Sequence, residues 1–437
     1  MSIISSLRSN FDAELLKSLR WQYFLNIGIG VIGAGYLLAL SRILGPETFG
    51  TYTLCAALPA VAAAVCDYRL QEFVLYAREN SESDEFRRTL AALFWFDALS
   101  KLLVVGLALG AYVVLRARGY KGLYVDFVLL SSMLVFVGKS FSGPAMGTLR
   151  SYGKLEYFST VQVTDWIFRL IALAGLFFAS RVDIRTVLWS QILIGGAFNA
   201  VVVRRATVAA GLPFSQFAAG WRGVSATLRQ HGRLIFANQG ISATDAVVKE
   251  VDVIVSGIFL TTAQIGVYKV AKSLAVIAWR LADPILIVIM PKLARLHSLG
   301  QRDELDGFVR ALTLGLLPSA VFLYTASVAG VYLLGPLALG PQYALSIAVY
   351  PLASAWLLIA LPFVWTHSLS MACGKPTLFF LGSGLGNGIG LLAIVMGAAR
   401  FGVEGALVGL ALAYCLPFVF SYLLLRRSGV VRLRRRA

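Results

Sequence analysis

Ionisable side chains recur inside two long apolar stretches of this chain, residues 234–259 and 265–291. At about 100° per residue, the charged side chains of each stretch fall on one stripe of a helix. In chain order these residues are Asp245, Lys249, Asp252, Lys269, Lys272, Arg280 and Asp283. A charged group that faces lipid at mid-bilayer costs about 2.5–3.5 kcal/mol or more, so the stripes must face each other, other helices or water. We therefore predict a polar path through a bundle of membrane helices.

Such a path could bind a charged, hydrated group. Lys and Arg suit phosphate, Lys as a point charge and Arg through bidentate geometry. Nine further ionisable residues lie within apolar stretches: Asp67, Arg69, Glu72, Asp97, Lys101, Lys139, Asp165, Arg169 and Glu250. All sixteen groups in lipid would cost on the order of 40–50 kcal/mol at about 3 each. A whole domain is stable by only roughly 5–15 kcal/mol, so nearly all of them must be paired or hydrated.

Two acid–base pairs have a spacing that favours pairing within one helix. Asp97 with Lys101, and Asp165 with Arg169, are i,i+4 neighbours, which lie on the same helix face. Two interpretations stay open for these four residues: they form structural ion pairs, or they line the path.

The short turn at residues 260–264 places the two charged stripes side by side. Lys269 and Lys272 have no acid within two turns on their own stripe, whereas Lys249 and Asp252 lie across the turn from them. We therefore predict a Lys–Asp pair here that opens and closes with substrate or with a proton.

Lys139 is the only charge in the middle of its apolar stretch. It is either a phosphate contact or a partner of Asp67 or Asp97. His367 could titrate near neutral pH, but among threonine and serine neighbours a hydrogen-bonded packing role is favoured.

The composition is that of a membrane protein. Of the 437 residues 58% are hydrophobic and 14% are charged, the mean hydropathy is +0.76, and soluble domains have about 25% charged residues. Long unbroken apolar runs indicate helices rather than the alternating strands of a barrel. The net charge of +17 is explained by basic cytoplasmic loops rather than by nucleic acid. The four cysteines lack CxxC spacing, so we expect no metal site and no cofactor.

Twelve spans follow a short amphipathic segment at residues 1–18. We predict them at residues 19–44, 51–76, 88–115, 124–149, 160–181, 184–203, 234–259, 265–291, 309–334, 343–371, 377–399 and 403–425. Loops on one side hold 24 basic residues and those on the other hold 6. The basic side marks the cytoplasm, so we expect both termini inside, in the inner membrane of a bacterium.

The chain divides into two halves of six spans. We predict an N-lobe at 19–205, a cytoplasmic linker at 206–233, a C-lobe at 234–425 and a basic cytoplasmic tail at 426–437. LGPETFGTY at 44–52 aligns without gaps to LTTAQIGVY at 260–268, and YGKLEYFS at 152–159 matches CGKPTLFF at 373–380. Because both halves begin inside, the repeat is parallel, about an axis along the membrane normal.

Four motifs carry a resemblance to a known family. They are RILGPETFGTY at 42–52, DVIVSGIFLTTAQIGVYKVAKSL at 252–274, CGKP at 373–376 and FGVEGALVGLA at 401–411. In their order along twelve spans they resemble the polysaccharide flippases of the multidrug/oligosaccharidyl-lipid/polysaccharide (MOP) exporter superfamily. The resemblance implies an all-α fold of two six-helix lobes around a central cavity.

The implied activity is a flippase that moves undecaprenyl-diphosphate-linked oligosaccharide across the inner membrane by alternating access, for surface polysaccharide such as O-antigen or exopolysaccharide. We expect that lipid-linked sugar and membrane lipids as partners, with a polymerase and other assembly proteins. A drug/cation antiporter and a cell-wall lipid flippase of the same superfamily stay open. A membrane enzyme is disfavoured because the longest outer connections, near 116–123 and 335–342, are under ten residues.

The residues expected to form the transport site come from the two stripes and from the other ionisable residues within the spans. For the substrate path we name Lys249, Lys269, Lys272, Arg280, Lys139 and Arg69. For ion coupling or gating we name Asp245, Asp252, Asp283 and Asp67. We expect no catalytic residue.

Overall fold

The computed structural model describes residues 13–120, 122–280, 289, 292–293 and 295–431. Within these ranges, side chains are described from residue 28 onward, except those of residues 80, 155, 234, 237–238, 240–249 and 376. Every secondary-structure element in these ranges is a helix, which confirms the all-α fold. The helices are α1 (Ala13–Val65), α2 (Leu70–Asn80), α3 (Ser83–Ala117), α4 (Val125–Lys139), α5 (Ser142–Ser151), α6 (Leu155–Phe178), α7 (Ile184–Ala209), α8 (Phe214–Ala219), α9 (Val224–Ser256), α10 (Thr262–Arg280), α11 (Arg302–Leu339), α12 (Ala344–Ser354), α13 (Leu357–Ala360), α14 (Trp365–Ala372) and α15 (Pro376–Arg427). Residues 1–12 of the amphipathic segment and residues 432–437 of the tail lie outside the described residues.

Eight helical stretches in the described part of the chain are long and apolar enough to cross a membrane. Two of them, Gly28–Glu79 and Thr377–Arg427, are 52 and 51 residues long. At 1.5 Å per residue each is more than twice the roughly 30 Å hydrocarbon thickness, so each holds two spans. The eight stretches thus account for ten of the predicted spans. The other two are α9 and α10, whose charged stripes lower their hydropathy.

Glycines with left-handed backbones separate the spans within α1 and α15. Gly45 has φ 74° in α1, and Gly402 has φ 61° in α15. Glycine adopts positive φ without the Cβ penalty, so the chain reverses there with few loop residues. Both positions coincide with predicted span boundaries.

Three predicted spans are not continuous helices, which corrects the sequence-based bounds. The predicted span 51–76 ends at Val65, and a new helix starts after Arg69, whose φ is 46°. The span 124–149 breaks at Phe141, which has φ 69°. The span 343–371 divides into α12, α13 and α14. Two of the breaks fall at short polar segments, CDYR at 66–69 and KSFS at 139–142, whereas the sequence around 355–364 stays apolar. Hydropathy averaged over a whole span conceals all three breaks.

The two halves contain the same turn at equivalent positions. Gly153 after α5 has φ 68°, and Gly374 after α14 has φ 64°. The next residue in each case donates its N–H back to the preceding helix, Lys154 to the Leu149 carbonyl at 2.7 Å and Lys375 to the Ser370 carbonyl at 3.0 Å. These are the helix-ending bonds of a glycine C-cap motif. The short sequence match between YGKL and CGKP therefore corresponds to one turn that occurs in both halves.

The regularly spaced glycines of α15 allow its two halves to pack closely. A Cβ at Gly382 would lie 2.6 Å from the Ser421 N atom, and Gly386 and Gly390 meet Pro417 and Ala413 in the same way. These glycines therefore serve helix packing, as is common in membrane bundles, rather than phosphate binding.

The N-terminal and C-terminal halves meet where α1 is broken at Gly45. Arg42 Nη1 donates to the Leu337 carbonyl at 2.6 Å, and Gln342 Nε2 donates to the Arg42 carbonyl at 2.6 Å. The Tyr343 hydroxyl donates to the Ser41 carbonyl at 3.1 Å. This end of the bundle is opposite the predicted cytoplasmic loops.

Candidate functional site

Two adjoining cavities lie between the helices. The first, the cationic cavity, has a volume of about 800 Å³ and is lined mainly by α1, α10 and α15. The second, the mixed-charge cavity, has a volume of about 780 Å³ and lies among α1, α3, α4, α6 and α7. Trp166 and Glu250 line both cavities, so the two hollows meet at these side chains.

One face of α10 supplies the charges of the cationic cavity. The lining residues from this helix are Lys269, Lys272, Ser273, Val276, Ile277, Trp279 and Arg280. The spacing of most of them, three or four residues apart, places them on one face of a helix. The buried residues of the opposite face, Val270, Ala271, Ala275 and Ala278, pack in the protein core. The sequence stripe and the cavity wall are therefore the same surface.

The side chains of Asp252 and Lys272 form a fully buried ion pair. Lys272 Nζ lies 2.8 and 2.7 Å from the two Asp252 carboxylate oxygens. The Tyr268 hydroxyl donates to the same carboxylate at 2.6 Å. Asp252 is 0% exposed and Lys272 is 4% exposed. This is a Lys–Asp pair across the turn, as predicted, and it lies at the inner edge of the cavity rather than on its open surface.

A second pair across the turn faces the cavity. Lys269 Nζ lies 3.2 Å from Glu250 Oε2, and both side chains are partly exposed, at 19% and 32%. Glu250 and Asp252 are two residues apart on α9 and so project from different faces of the helix. Their different burial follows from this geometry. Glu250 with Lys269 is the pair placed to respond to a bound charge.

The mixed-charge cavity contains both predicted i,i+4 pairs. Lys101 Nζ lies 3.2 Å from Asp97, and Arg169 Nε lies 3.0 Å from Asp165. All four residues also line the cavity, so the two interpretations that the sequence left open are compatible. The described lining residues include four acids and three bases, namely Asp67, Asp97, Asp165, Glu250, Lys101, Lys139 and Arg169.

The predicted site residues fall into distinct places. Lys269, Lys272 and Arg280 line the cationic cavity, and Lys139 and Asp67 line the mixed-charge cavity. Arg69 is not among the described residues that line either one. It starts α2, and its backbone N–H donates to the Asp67 carboxylate at 3.1 Å. The side chains of Asp245 and Lys249, and all of Asp283, lie outside the described residues. The transport roles of all ten stay predictions.

Aromatic side chains are a part of the cationic cavity that the sequence did not single out. They are Trp166, Trp279, Trp356, Phe379, Tyr414 and Phe418. Aromatic residues are frequent in every apolar stretch of this chain, so composition could not separate cavity-facing rings from lipid-facing ones. The i,i+4 spacing of Tyr414 and Phe418 was the one available signal.

His367 packs against an aromatic side chain. The His367 ring meets the Phe379 ring edge to face at 4.6 Å, in keeping with a packing role. Within the described ranges, no three His, Cys, Asp or Glu side chains are grouped to hold a metal ion.

Comparisons with known proteins agree with this architecture. The family model described as "Polysaccharide biosynthesis protein" matches residues 15–297. An inward-facing multidrug resistance MATE family transporter of the MOP superfamily has a similar fold, with TM-score 0.63, 14% identity, and coverage of 93% of this chain and 94% of that one. The lipid II flippase MurJ in an inward closed conformation gives TM-score 0.67, 15% identity, and coverage of 93% and 88%.

A mutant of the Vibrio cholerae MATE transporter VcmN gives TM-score 0.58 at 13% identity, with coverage of 95% of this chain and 97% of that one. At these identities the likeness concerns the fold, which is that of a multi-pass membrane protein. No curated protein sequence is a significant match.

Proposed function

We propose that this chain, which belongs to the polysaccharide biosynthesis protein family, is a flippase for undecaprenyl-diphosphate-linked oligosaccharide repeat units. The observation that carries the proposal is the cationic cavity, whose described lining holds three bases, Lys269, Lys272 and Arg280. Glu250 pairs with Lys269 and buried Asp252 pairs with Lys272, so the described residues here have one base more than acids. An excess of bases inside a membrane bundle is costly. It is best explained by an anionic group that the cavity receives.

The cavity also suits the rest of this substrate. A diphosphate with attached sugars cannot cross hydrocarbon unaided, whereas its isoprenoid tail dissolves in hydrocarbon. Lys and Arg bind phosphate through charge-assisted hydrogen bonds. The serine, asparagine and aromatic side chains that share the lining, Ser273, Ser383, Asn387 and Tyr414 among them, offer hydrogen-bonding groups to sugar.

Alternating access would use the contact between the two halves. Arg42, Gln342 and Tyr343 hold the halves together at the end of the bundle near Gly45. Opening there and closing at the other end would expose the cavity to the two sides in turn. In this proposal the protein lies in the bacterial inner membrane with both termini in the cytoplasm, and a polymerase receives the translocated units.

A chromosomal deletion tests the proposal directly. Loss of the chain should deplete surface polysaccharide and accumulate lipid-linked repeat units that a membrane-impermeant glycan reagent cannot reach from outside. A plasmid copy with Lys269→Ala should fail to restore export, whereas Lys375→Ala, at an exposed turn away from both cavities, should restore it. Export at wild-type level in the Lys269→Ala strain would overturn the proposal.

A second candidate is an exporter of organic cations. It is favoured by the four acids of the mixed-charge cavity, Asp67, Asp97, Asp165 and Glu250. Resistance to cationic dyes in an expressing strain, without a polysaccharide defect in the deletion strain, would select it. Accumulation of lipid II in place of polysaccharide intermediates would instead select a cell-wall lipid flippase.

A further inference from the structure

Four aromatic rings form one continuous wall of the cationic cavity, hereafter the aromatic wall. It consists of Trp279, Trp356, Tyr414 and Phe418. The rings of Trp356 and Tyr414 are stacked, with centroids 4.6 Å apart and an interplanar angle of 21°. Trp279 lies 5.1 Å from Trp356 and 5.9 Å from Phe418. Three elements of the C-terminal half thus present a single aromatic surface.

The rings differ in exposure. Trp356 is 3% exposed and lies at the centre of the wall, whereas Trp279, Tyr414 and Phe418 are only partly buried. The outer rings therefore offer surface to a ligand in the cavity, and Trp356 supports them from behind. Burial of the support fixes the orientation of the outer rings.

Polar side chains line the same cavity beside the aromatic wall. Two of them, Ser383 and Asn387, are joined by a hydrogen bond of 3.3 Å. The indole N–H of Trp356 has no acceptor among the described residues, but it is itself fully buried, so a ligand in the cavity does not reach it. The cavity lining thus combines aromatic faces with side chains that can bond to a polar ligand.

A sugar ring has the matching chemistry. One face of a pyranose carries C–H groups that pack on an aromatic ring, and its edge carries hydroxyl and ring oxygens that accept hydrogen bonds. An isoprenoid tail would also pack on the rings, but it has no group that bonds to a polar side chain such as Asn387. The polar side chains beside the aromatic wall therefore favour the sugar over the tail.

The wall stands next to the phosphate-binding charges. Trp279 is followed in the chain by Arg280, and Lys269 lines the same cavity. In a lipid-linked repeat unit the first sugar is joined directly to the diphosphate. A substrate with its diphosphate at Lys269 and Arg280 would place that first sugar within the same hollow.

We propose that the aromatic wall is the subsite for the sugar attached to the diphosphate, and that it makes the protein select glycan-bearing lipid over the bare carrier. This rests on the proposed function, since it assumes that the cations hold the diphosphate. Selection has a clear use here, because export of undecaprenyl diphosphate without its glycan would waste the carrier.

The test measures binding of matched lipids to the purified full-length protein in nanodiscs. The probes are undecaprenyl diphosphate and a panel of the same lipid bearing one hexose or one N-acetylhexosamine. The wild type should bind at least one sugar-bearing lipid about tenfold more tightly than the bare carrier. Tyr414→Ala with Phe418→Ala should weaken binding of the sugar-bearing lipid more than that of the bare carrier and so remove the preference.

Two further variants test the polar group and give the background. Asn387→Ala removes a hydrogen-bonding side chain of the cavity lining and should lower the preference by about fivefold while the melting temperature stays near the wild-type value. Trp189→Phe, in α7 and 53% exposed away from both cavities, should change neither quantity.

The outcomes distinguish this inference from the proposed function. Equal affinity of the wild type for all probes, or a preference that survives in the Tyr414→Ala, Phe418→Ala protein, would overturn the sugar subsite alone. A Lys269→Ala protein should bind every probe more weakly by a similar factor. Unchanged binding of all probes in that variant, or no binding by the wild type, would overturn the proposed function and the subsite with it.

Discussion

Gly50 and Gly266 occupy equivalent positions in the two matched segments, and each packs against the backbone of the other segment. A Cβ on Gly50 would collide with the carbonyl oxygen of Thr262, and a Cβ on Gly266 would collide with that of Pro46. The same alignment pairs Pro46 with Thr262. The contact is therefore reciprocal, which is the mark of a two-fold relationship. The duplicated segments meet each other across the axis that relates the two halves.

Replacement of Gly50 by alanine should weaken this contact. The added methyl group meets backbone, which cannot move aside as a flexible side chain would, and such overpacking costs roughly 1–3 kcal/mol. We expect a lower melting temperature in detergent and reduced export of polysaccharide. The matched control is Gly35→Ala in the same helix, where an added Cβ has nothing within 4 Å. A Gly50→Ala protein as stable as this control would show that the halves do not need such close approach.

The two lysines of the α10 stripe should behave differently. Lys272 is paired with Asp252 at the buried inner edge of the cationic cavity, so Lys272→Ala leaves a buried carboxylate uncompensated and should lower the free energy of unfolding by roughly 3–5 kcal/mol. Lys269→Ala removes a partly exposed side chain and should lower transport with little change in stability. Thermal unfolding and export, measured on both variants, separate the two effects.

A double substitution provides the control for the buried pair. Lys272→Met with Asp252→Asn removes both charges and keeps an acceptor for the Tyr268 hydroxyl. Since the loss of both charges avoids an unpaired ion, its stability should exceed that of Lys272→Ala. A double variant that is stable but inactive would assign a transport role to the buried pair.

Exchange of the charges in the cavity-facing pair tests whether Glu250 and Lys269 act on each other. Lys269→Glu alone places two acids together where the cavities meet and should abolish export. Combined with Glu250→Lys, the pair is restored in reverse, and export should recover to within about threefold of the wild type if their interaction is what matters. Failure of the double variant to recover would mean that Lys269 acts on the substrate from its own position.

The duplicated glycine turns should respond equally to substitution. Alanine at Gly153 or at Gly374 would have to adopt φ of 68° or 64°, which costs roughly 1–2 kcal/mol per residue. Both variants should melt below the wild type. Gly175→Ala, in the last turn of α6 with open space around it, has no such strain and should instead stabilise by up to roughly 0.5–1 kcal/mol. Unequal effects at the two turns would contradict their equivalence.

Cys373 can report which side of the membrane holds the CGKP turn. It is partly exposed, whereas Cys55, Cys66 and Cys415 are buried. The thiol lies 3.4 Å from His297 Nδ1. Burial raises the pKa of this thiol, and the nearby Lys375 only partly offsets the effect. Because the thiolate is the reactive form, labelling by a maleimide should be slow at neutral pH and should accelerate as the pH rises towards the raised pKa.

The expected result depends on sidedness. A membrane-impermeant maleimide should label Cys373 in inverted membrane vesicles and not in intact spheroplasts, since the loop count places this turn in the cytoplasm. A Cys373→Ala protein gives the background. Labelling in spheroplasts alone would reverse the predicted orientation.

Much of the architecture could be predicted from the sequence because hydropathy and charge are local properties. Apolar runs of sufficient length must be helices in a bilayer, and the stripe of Lys269, Lys272 and Arg280 must avoid lipid wherever the helix lies. The match of residues 44–52 with 260–268 could likewise be found from the sequence, because it needs only a comparison of residue types. The breaks at Arg69 and Phe141 escaped prediction because hydropathy averaged over a whole span hides short polar segments such as CDYR at 66–69 and KSFS at 139–142.

Tertiary structure decided how the charges are used. From sequence alone Lys269 and Lys272 were equivalent members of one stripe, yet α9 covers Lys272 with Asp252 and leaves Lys269 beside the cavity with Glu250. The aromatic wall likewise exists only because α10, α15 and the segment between α12 and α13 come together. The sequence by itself determined which residues could not face lipid, since that cost belongs to each side chain alone. Which of them are buried and which meet water depends on neighbours distant in the chain, and only the packed helices supply those.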